Sequence, residues 1–142
     1  MVVCDLVAAL RRDDRTVPDA LDALLRRYGV HVTAGVSARF PDADAAGAAA
    51  ARLRDAPPDL LAGYPVTTED LSLRRGQLRT DALILSGGDD DTAVRVVVRP
   101  SGTEPKLKSY IEIRLKVSDD LTTQRAEAQR LMAEVVDAVN RW

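Results

Sequence analysis

The sequence predicts an α+β domain: a mostly antiparallel sheet flanked by helices on one side and preceded by a helical hairpin. Three observations predict it. Apolar residues recur at helical spacing through residues 1–28, and again from about Asp120 to Arg141. Between these segments several short runs change to a period of two. The last of those runs alternate apolar and polar residues and meet at turn-forming sequences, which implies antiparallel pairing with one face in the core and one in water.

In the first segment Val3, Leu6, Val7 and Leu10 form a helical apolar stripe. It has no cap or polar lead-in, so the chain is expected to begin inside a larger fold. "RRDDR" makes a polar turn, and Thr16 with Asp19 gives a capping-box pattern, with Pro18 in the tolerant first turn. The second helix puts Leu21, Leu24, Leu25 and Tyr28 on one face and stops at Gly29. From Val30 the period is two: Val30, Val32, Ala34, Val36, Ala38 and Phe40 face one way, and His31, Thr33, Ser37 and Arg39 the other. Asp42 caps an alanine-rich helix that ends near Asp55, where Pro57 and Pro58 forbid continuation.

Further strands are expected at Val66 to Leu71, Ala82 to Leu85, Ala93 to Val98 and Ser109 to Val117. "SGGDDD" reads as the hairpin connection between the second and third of these. The closing helix carries Leu121, Ala128, Leu131, Met132, Val135, Val136 and Val139 at helical spacing, a stripe suited to cover the apolar face of the sheet.

A length of 142 residues suits one domain with appendages. Hydrophobic residues make up 46% and charged residues 30%, a globular balance. The net charge of −2 argues against a surface built as a whole for nucleic acid or anionic membrane, so any anion site must be local. Cys4 is the only cysteine, which excludes an internal disulfide; it is expected to be a small buried apolar residue, and a cytoplasmic setting fits best. No apolar stretch approaches the roughly 20 residues that a membrane-spanning helix needs.

One stretch concentrates unusual chemistry. Between Arg95 and Lys116 there are six basic residues, Arg95, Arg99, Lys106, Lys108, Arg114 and Lys116, against two acidic ones, Glu104 and Glu112. In "RPSGTEPK", residues 99 to 106, Arg99 offers a planar fork of donors, Ser101 and Thr103 add hydroxyls, and Gly102 lets backbone N–H groups turn inward. Pro100 and Pro105 bracket the loop and reduce the entropy lost on ordering. These parts suit a phosphate monoester. Glu104 would repel a dianion, so its carboxylate is expected to turn toward Lys106, Lys108 or a loop N–H. On residue types alone the same stretch is equally a set of turn residues beside a solvated sheet face.

The order of the residues adds a further reading. "RPSGTEPK", set between two strands and followed by "LKSYIEI", closely resembles the phosphate-binding loop near the C-terminus of the α-D-phosphohexomutases, the phosphoglucomutase and phosphomannomutase superfamily. More loosely, the resemblance covers the whole chain: residues 1–28 are similar to the tail of the preceding mutase domain, and residues 29–142 to the C-terminal phosphate-binding domain. It implies a fold like that of the TATA-binding protein. In that family phosphoryl groups pass between a phosphoserine and either end of a hexose, through a bisphosphate that turns over in the site, while the C-terminal loop grips the phosphate that is not transferred. The matching positions are Arg99, Ser101, Gly102 and Thr103, with Lys106 and Lys108 as supporting charge. The implied partners are a hexose phosphate and the remaining mutase domains.

The resemblance also implies magnesium and a hexose bisphosphate for the full enzyme, with neither a catalytic residue nor a metal ligand in this chain. The Ser-His-Asn-Pro, Asp-Xaa-Asp-Xaa-Asp and Gly-Glu-Xaa-Ser loops of the family do not occur in this sequence. "DAD" at Asp42 to Asp44 reads as helix capping and "DDD" at Asp89 to Asp91 as a hairpin tip. The chain alone is therefore expected to bind without catalysing. Two other classes of function stand beside this one. A nucleic-acid-binding module would use the basic loop, but the acidic balance and an aromatic content of 4% leave little to stack on bases. A free-standing regulatory or interaction domain would have to bury the stripe of residues 1–28 on itself or in a dimer.

Overall fold

The computed structural model describes residues 2–117 and 120–142, so Met1 of the expected hairpin lies outside the described residues. Helices α1 (Val2–Arg12) and α2 (Val17–Tyr28) form that hairpin. The Thr16 hydroxyl accepts from the Asp19 amide at 3.3 Å, and the Asp19 carboxylate accepts from the Thr16 amide at 2.7 Å. Both halves of the capping box are thus present.

Strand β1 (Val30–Arg39) leads to α3 (Ala43–Asp55), which Asp42 caps by accepting from the Ala45 amide at 2.8 Å. A small ribbon, β2 (Leu60–Leu61) with β3 (Tyr64–Pro65), was not legible in the sequence, because two-residue strands show no alternation. It seats Leu61 in the core. Then come β4 (Thr67–Asp70), β5 (Leu83–Gly88), β6 (Thr92–Pro100), β7 (Lys106–Leu115) and α4 (Leu121–Val139).

Five strands make one sheet in the order β1-β7-β6-β5-β4, and every neighbouring pair is antiparallel. Its covered face carries Leu83, Leu85, Val94, Val96, Val98, Leu107, Ile111, Ile113 and Leu115, packed against Ala49, Ala50 and Leu53 of α3 and Leu131, Met132 and Val135 of α4. The α+β architecture with helices on one side is as the sequence predicts. The central positions are the driest, with Leu85, Val96 and Ile113 fully buried. Burying one such side chain contributes about 1.5–3 kcal/mol, so the middle of the sheet is the rigid part.

Strand β5 runs on to Gly88, so Ser86, Gly87 and Gly88 of the expected hairpin connection belong to the strand. Two further differences from the expected strand boundaries bear on the loop. Strand β7 runs from Lys106 to Leu115 instead of Ser109 to Val117, because β1 pairs along it as far as Arg39 opposite Lys106. Strand β6 extends to Pro100. Proline is tolerated there because β5 begins opposite Val98, so no β5 residue faces Pro100 and its missing N–H is not required. Cys4 is exposed rather than buried, since among the described residues nothing covers that side of α1, where Val2, Val3 and Leu6 are exposed as well. Among the described residues no helix is long and apolar enough to cross a membrane.

Candidate anion-binding site

The extension of β6 and β7 shortens the connecting loop to residues 101–105 and plants its ends on the central strand β6 and its neighbour β7. The Ser101 amide donates to the Lys106 carbonyl at 2.9 Å, closing the loop at its neck. The Lys106 amide donates to the Glu104 carbonyl at 2.7 Å, and the Phe40 amide, just beyond β1, donates to the Pro105 carbonyl at 2.8 Å. Three strands therefore fix this loop.

Register decides which side chains gather beside it. On the face that the helices leave open, Arg99 of β6 stands directly opposite Lys108 of β7, and Arg39 of β1 directly opposite Lys106. Like charges at directly opposed positions are destabilising. Two such pairs at one end of one face form a local field that an anion would relieve. Glu104 offsets part of it: Lys106 Nζ lies 2.7 Å from Glu104 Oε1. The hydrogen bond from Lys106, and then its charge, hold the Glu104 carboxyl below the usual carboxylate range, with Arg39 and Lys108 adding to the same effect. The expected turn of Glu104 toward a lysine is present, and Lys106 is an engaged cation instead of a free one.

The other expected binders are distributed as follows. Ser101 is half-buried at the neck, while Gly102 and Thr103 are exposed at the tip. Gly102 does not lie in the left-handed region, and a Cβ there would meet nothing within 4 Å. The loop backbone thus does not itself demand glycine, and what the missing side chain leaves open is approach from outside. Arg99 is exposed, and its Nη2 donates to Tyr110 Oη at 3.2 Å. Next to Tyr110 the open face dips into a hollow of about 440 Å³ lined by Thr33, Gly35, Arg95, Tyr110 and Glu112. Sequence reasoning did not place Arg39 or Tyr110 at the site. Arg39 enters through long-range register, and Tyr110 could have been found from its place on the same face of β7 as Lys108.

Residues 89–138, which hold the hairpin turn, β6, the loop, β7 and most of α4, match the family model described as "Phosphoglucomutase/phosphomannomutase, C-terminal domain". The chain carries a phosphohexomutase C-terminal domain. Over 142 residues it is 31% identical to a "Probable phosphomannomutase" of Haemophilus influenzae. That alignment covers 98% of this chain, so it includes the α1–α2 hairpin, but the chain spans only about a quarter (26%) of the relative's length.

The described carboxylates of this phosphohexomutase domain do not fit a magnesium site. Among the described residues no group of three or more His, Cys, Asp or Glu side chains is placed to hold a metal ion. Asp42 is committed to capping α3. Asp89 accepts from the amides of Asp91 and Thr92 at 3.0 and 2.7 Å, which makes it the organiser of the β5–β6 turn, and Asp91 pairs with Lys116 at 3.2 Å. His31 is likewise occupied: its Nε2 lies 3.2 Å from the Tyr28 carbonyl and its Nδ1 3.8 Å from Glu112.

Proposed function

We propose that this chain is the phosphate-gripping end of a phosphoglucomutase or phosphomannomutase that interconverts hexose 1-phosphate and hexose 6-phosphate. The observation that carries this reading is the two like-charged cross-strand pairings, Arg99 opposite Lys108 and Arg39 opposite Lys106, set beside a short loop of Ser101, Gly102 and Thr103. Arg99 supplies the forked donors, the hydroxyls of Ser101 and Thr103 and the loop amides supply neutral donors, and Lys108, Lys106 and Arg39 supply charge. Gly102 leaves the tip open to the phosphate. The ligand is the phosphate of the sugar that is not being transferred.

No residue of this chain takes part in bond breaking on this reading. The phosphoserine, the magnesium ligands and the sugar-reading groups belong to the remaining mutase domains, in line with the quarter of the relative that this chain spans. Uncatalysed phosphate-monoester hydrolysis calls for accelerations of up to about 10²¹-fold, which a binding loop alone does not supply. The chain by itself binds and does not turn over. Residues 1–28 are the tail of the preceding domain and residues 29–142 the phosphate-binding domain; the exposed apolar residues Val2, Val3, Leu6, Leu21 and Leu24 support that division.

The affinity of the isolated site should be modest. A few charge-assisted hydrogen bonds of about 1.5–3 kcal/mol each must offset several kcal/mol of lost translational and rotational freedom. A Kd of about 1 mM or weaker follows, near −4 kcal/mol. In an NMR titration with glucose 6-phosphate or mannose 6-phosphate, the amides of Ser101, Gly102 and Thr103 are expected to shift first and together. If they stay fixed while other amides move, the site is elsewhere. Magnesium-dependent mutase turnover by the purified chain would refute its inactivity.

A further inference from the structure

Tyr110 is 46% exposed on the open face of β7. An aromatic ring left this wet is not there to fill the core. Its direct cross-strand neighbours are Val97 on β6 and Gly35 on β1, and neither offers a polar partner from its side chain. Its hydrogen bond and its cation contact are with Arg99. The Arg99 guanidinium donates from Nη2 to the phenol oxygen at 3.2 Å, and its Cζ stands 5.7 Å from the ring centroid. One cation thus engages both the polar tip and the ring of Tyr110.

The arrangement answers a problem set by the register. Arg99 faces Lys108 directly, and that repulsion favours rotamers that carry the guanidinium away from the cluster. Arginine has many such rotamers, and losing them on binding an anion weakens the complex. We infer that Tyr110 is a positioning residue for the phosphate site: its phenol and ring hold the Arg99 guanidinium on the open face beside Lys108, poised for the anion. One N–H of the fork goes to the tyrosine and the others remain for phosphate oxygens. The role rests on the reading of the β6–β7 loop as a phosphate cradle and acts only through Arg99. The same contact has an electrostatic trace in the phenol. The hydrogen bond from Arg99 leads the effects that lower the Tyr110 pKa from its ordinary value.

The test titrates inorganic phosphate into the full chain, reading the amides of Ser101 to Thr103, for the wild type, Tyr110→Phe and Tyr110→Leu. Because Tyr110 is largely exposed, both variants should keep the wild-type amide spectrum elsewhere. Tyr110→Phe, which keeps the ring, should bind about threefold more weakly, and Tyr110→Leu about tenfold, the scale of immobilising one long side chain. Repeating Tyr110→Leu in an Arg99→Met background should give no further loss. The phenol, titrated by absorbance, should return upward toward its ordinary value in Arg99→Met.

The failures are distinguishable. If the wild type does not bind phosphate, the cradle reading falls and the positioning role with it. If the wild type binds and both Tyr110 variants bind equally well, only the positioning role falls. An equal loss from Tyr110→Leu with and without Arg99 also overturns it, because the tyrosine would then be acting by itself.

Discussion

Helix α4 and the α1–α2 hairpin carry the same kind of sequence pattern and meet opposite fates. In α4 the stripe of Leu121, Ala128, Leu131, Met132, Val135 and Val139 is buried against the sheet. In the hairpin, Val2, Val3, Leu6, Leu21, Leu24 and Tyr28 are exposed, Leu10 is buried and Leu25 reaches the edge of the core. Attachments of the hairpin to the body include that edge contact, the pair of Arg125 of α4 with Asp22 of α2 at 2.6 Å, and the chain link at Gly29. Periodicity therefore announces that a face needs a partner without saying where the partner is. The sheet supplies it for α4. For the hairpin, the described residues cover Leu10 and part of Leu25 and leave most of the stripe exposed.

The largest expected effect comes from testing that contrast directly. Leu131→Ala removes a side chain that is 2% exposed and should cost about 2–5 kcal/mol in urea unfolding. Leu24→Ala, at a position 52% exposed, should stay within about 0.5 kcal/mol. A loss at Leu24 comparable to that at Leu131 would mean that the hairpin face is covered in solution, and the contrast would collapse.

A smaller effect is expected at the junction between the two regions. Gly29 has φ of 98°, and an added Cβ would stand 2.6 Å from the Leu115 carbonyl oxygen. Gly29→Ala should destabilise the chain by about 1–3 kcal/mol. A neutral result would show that the hairpin shifts freely on the sheet.

The smallest effect is local to α2. Thr16→Ala removes one half of the capping box and should cost about 1 kcal/mol of helix stability, visible as faster amide exchange in α2 while α4 is unchanged. The hydrogen bond from the Thr16 side chain leads the effects that lower the Asp19 pKa. A carboxyl lowered by folding stabilises fully above its unfolded pKa, and that contribution is lost as pH falls through the lower folded value. Protection of α2 should accordingly weaken as pH falls below the ordinary aspartate range, and Asp19→Asn should abolish that dependence. The same pH dependence of α2 exchange in Asp19→Asn as in the wild type would show that Asp19 plays no part in it.

The charged face offers a second view of what was legible. Arg99, Lys106 and Lys108 could be picked out because they lie close together in sequence, within a loop whose residue order carries information. Arg39 could not, because it arrives from a strand distant in sequence, and only the β1–β7 register sets it opposite Lys106. The turn of Glu104 toward Lys106 followed from elementary electrostatics. The engagement of Arg99 by Tyr110 did not, because it depends on the diagonal offset between β6 and β7.

By itself the sequence determined the order and type of the main elements, the capping of α2 and α3, the alternation that turns one sheet face inward, and the loop that identifies the family. These are local properties, set by residue spacing and side-chain chemistry within a few positions. Tertiary structure alone decided the strand order β1-β7-β6-β5-β4, the extension of β6 and β7 into the loop, the gathering of Arg39 with Arg99, Lys106 and Lys108, and the exposure of the hairpin stripe. Each depends on which surfaces meet across long separations in the chain. A residue's spacing encodes which way it faces, and only packing decides what it faces.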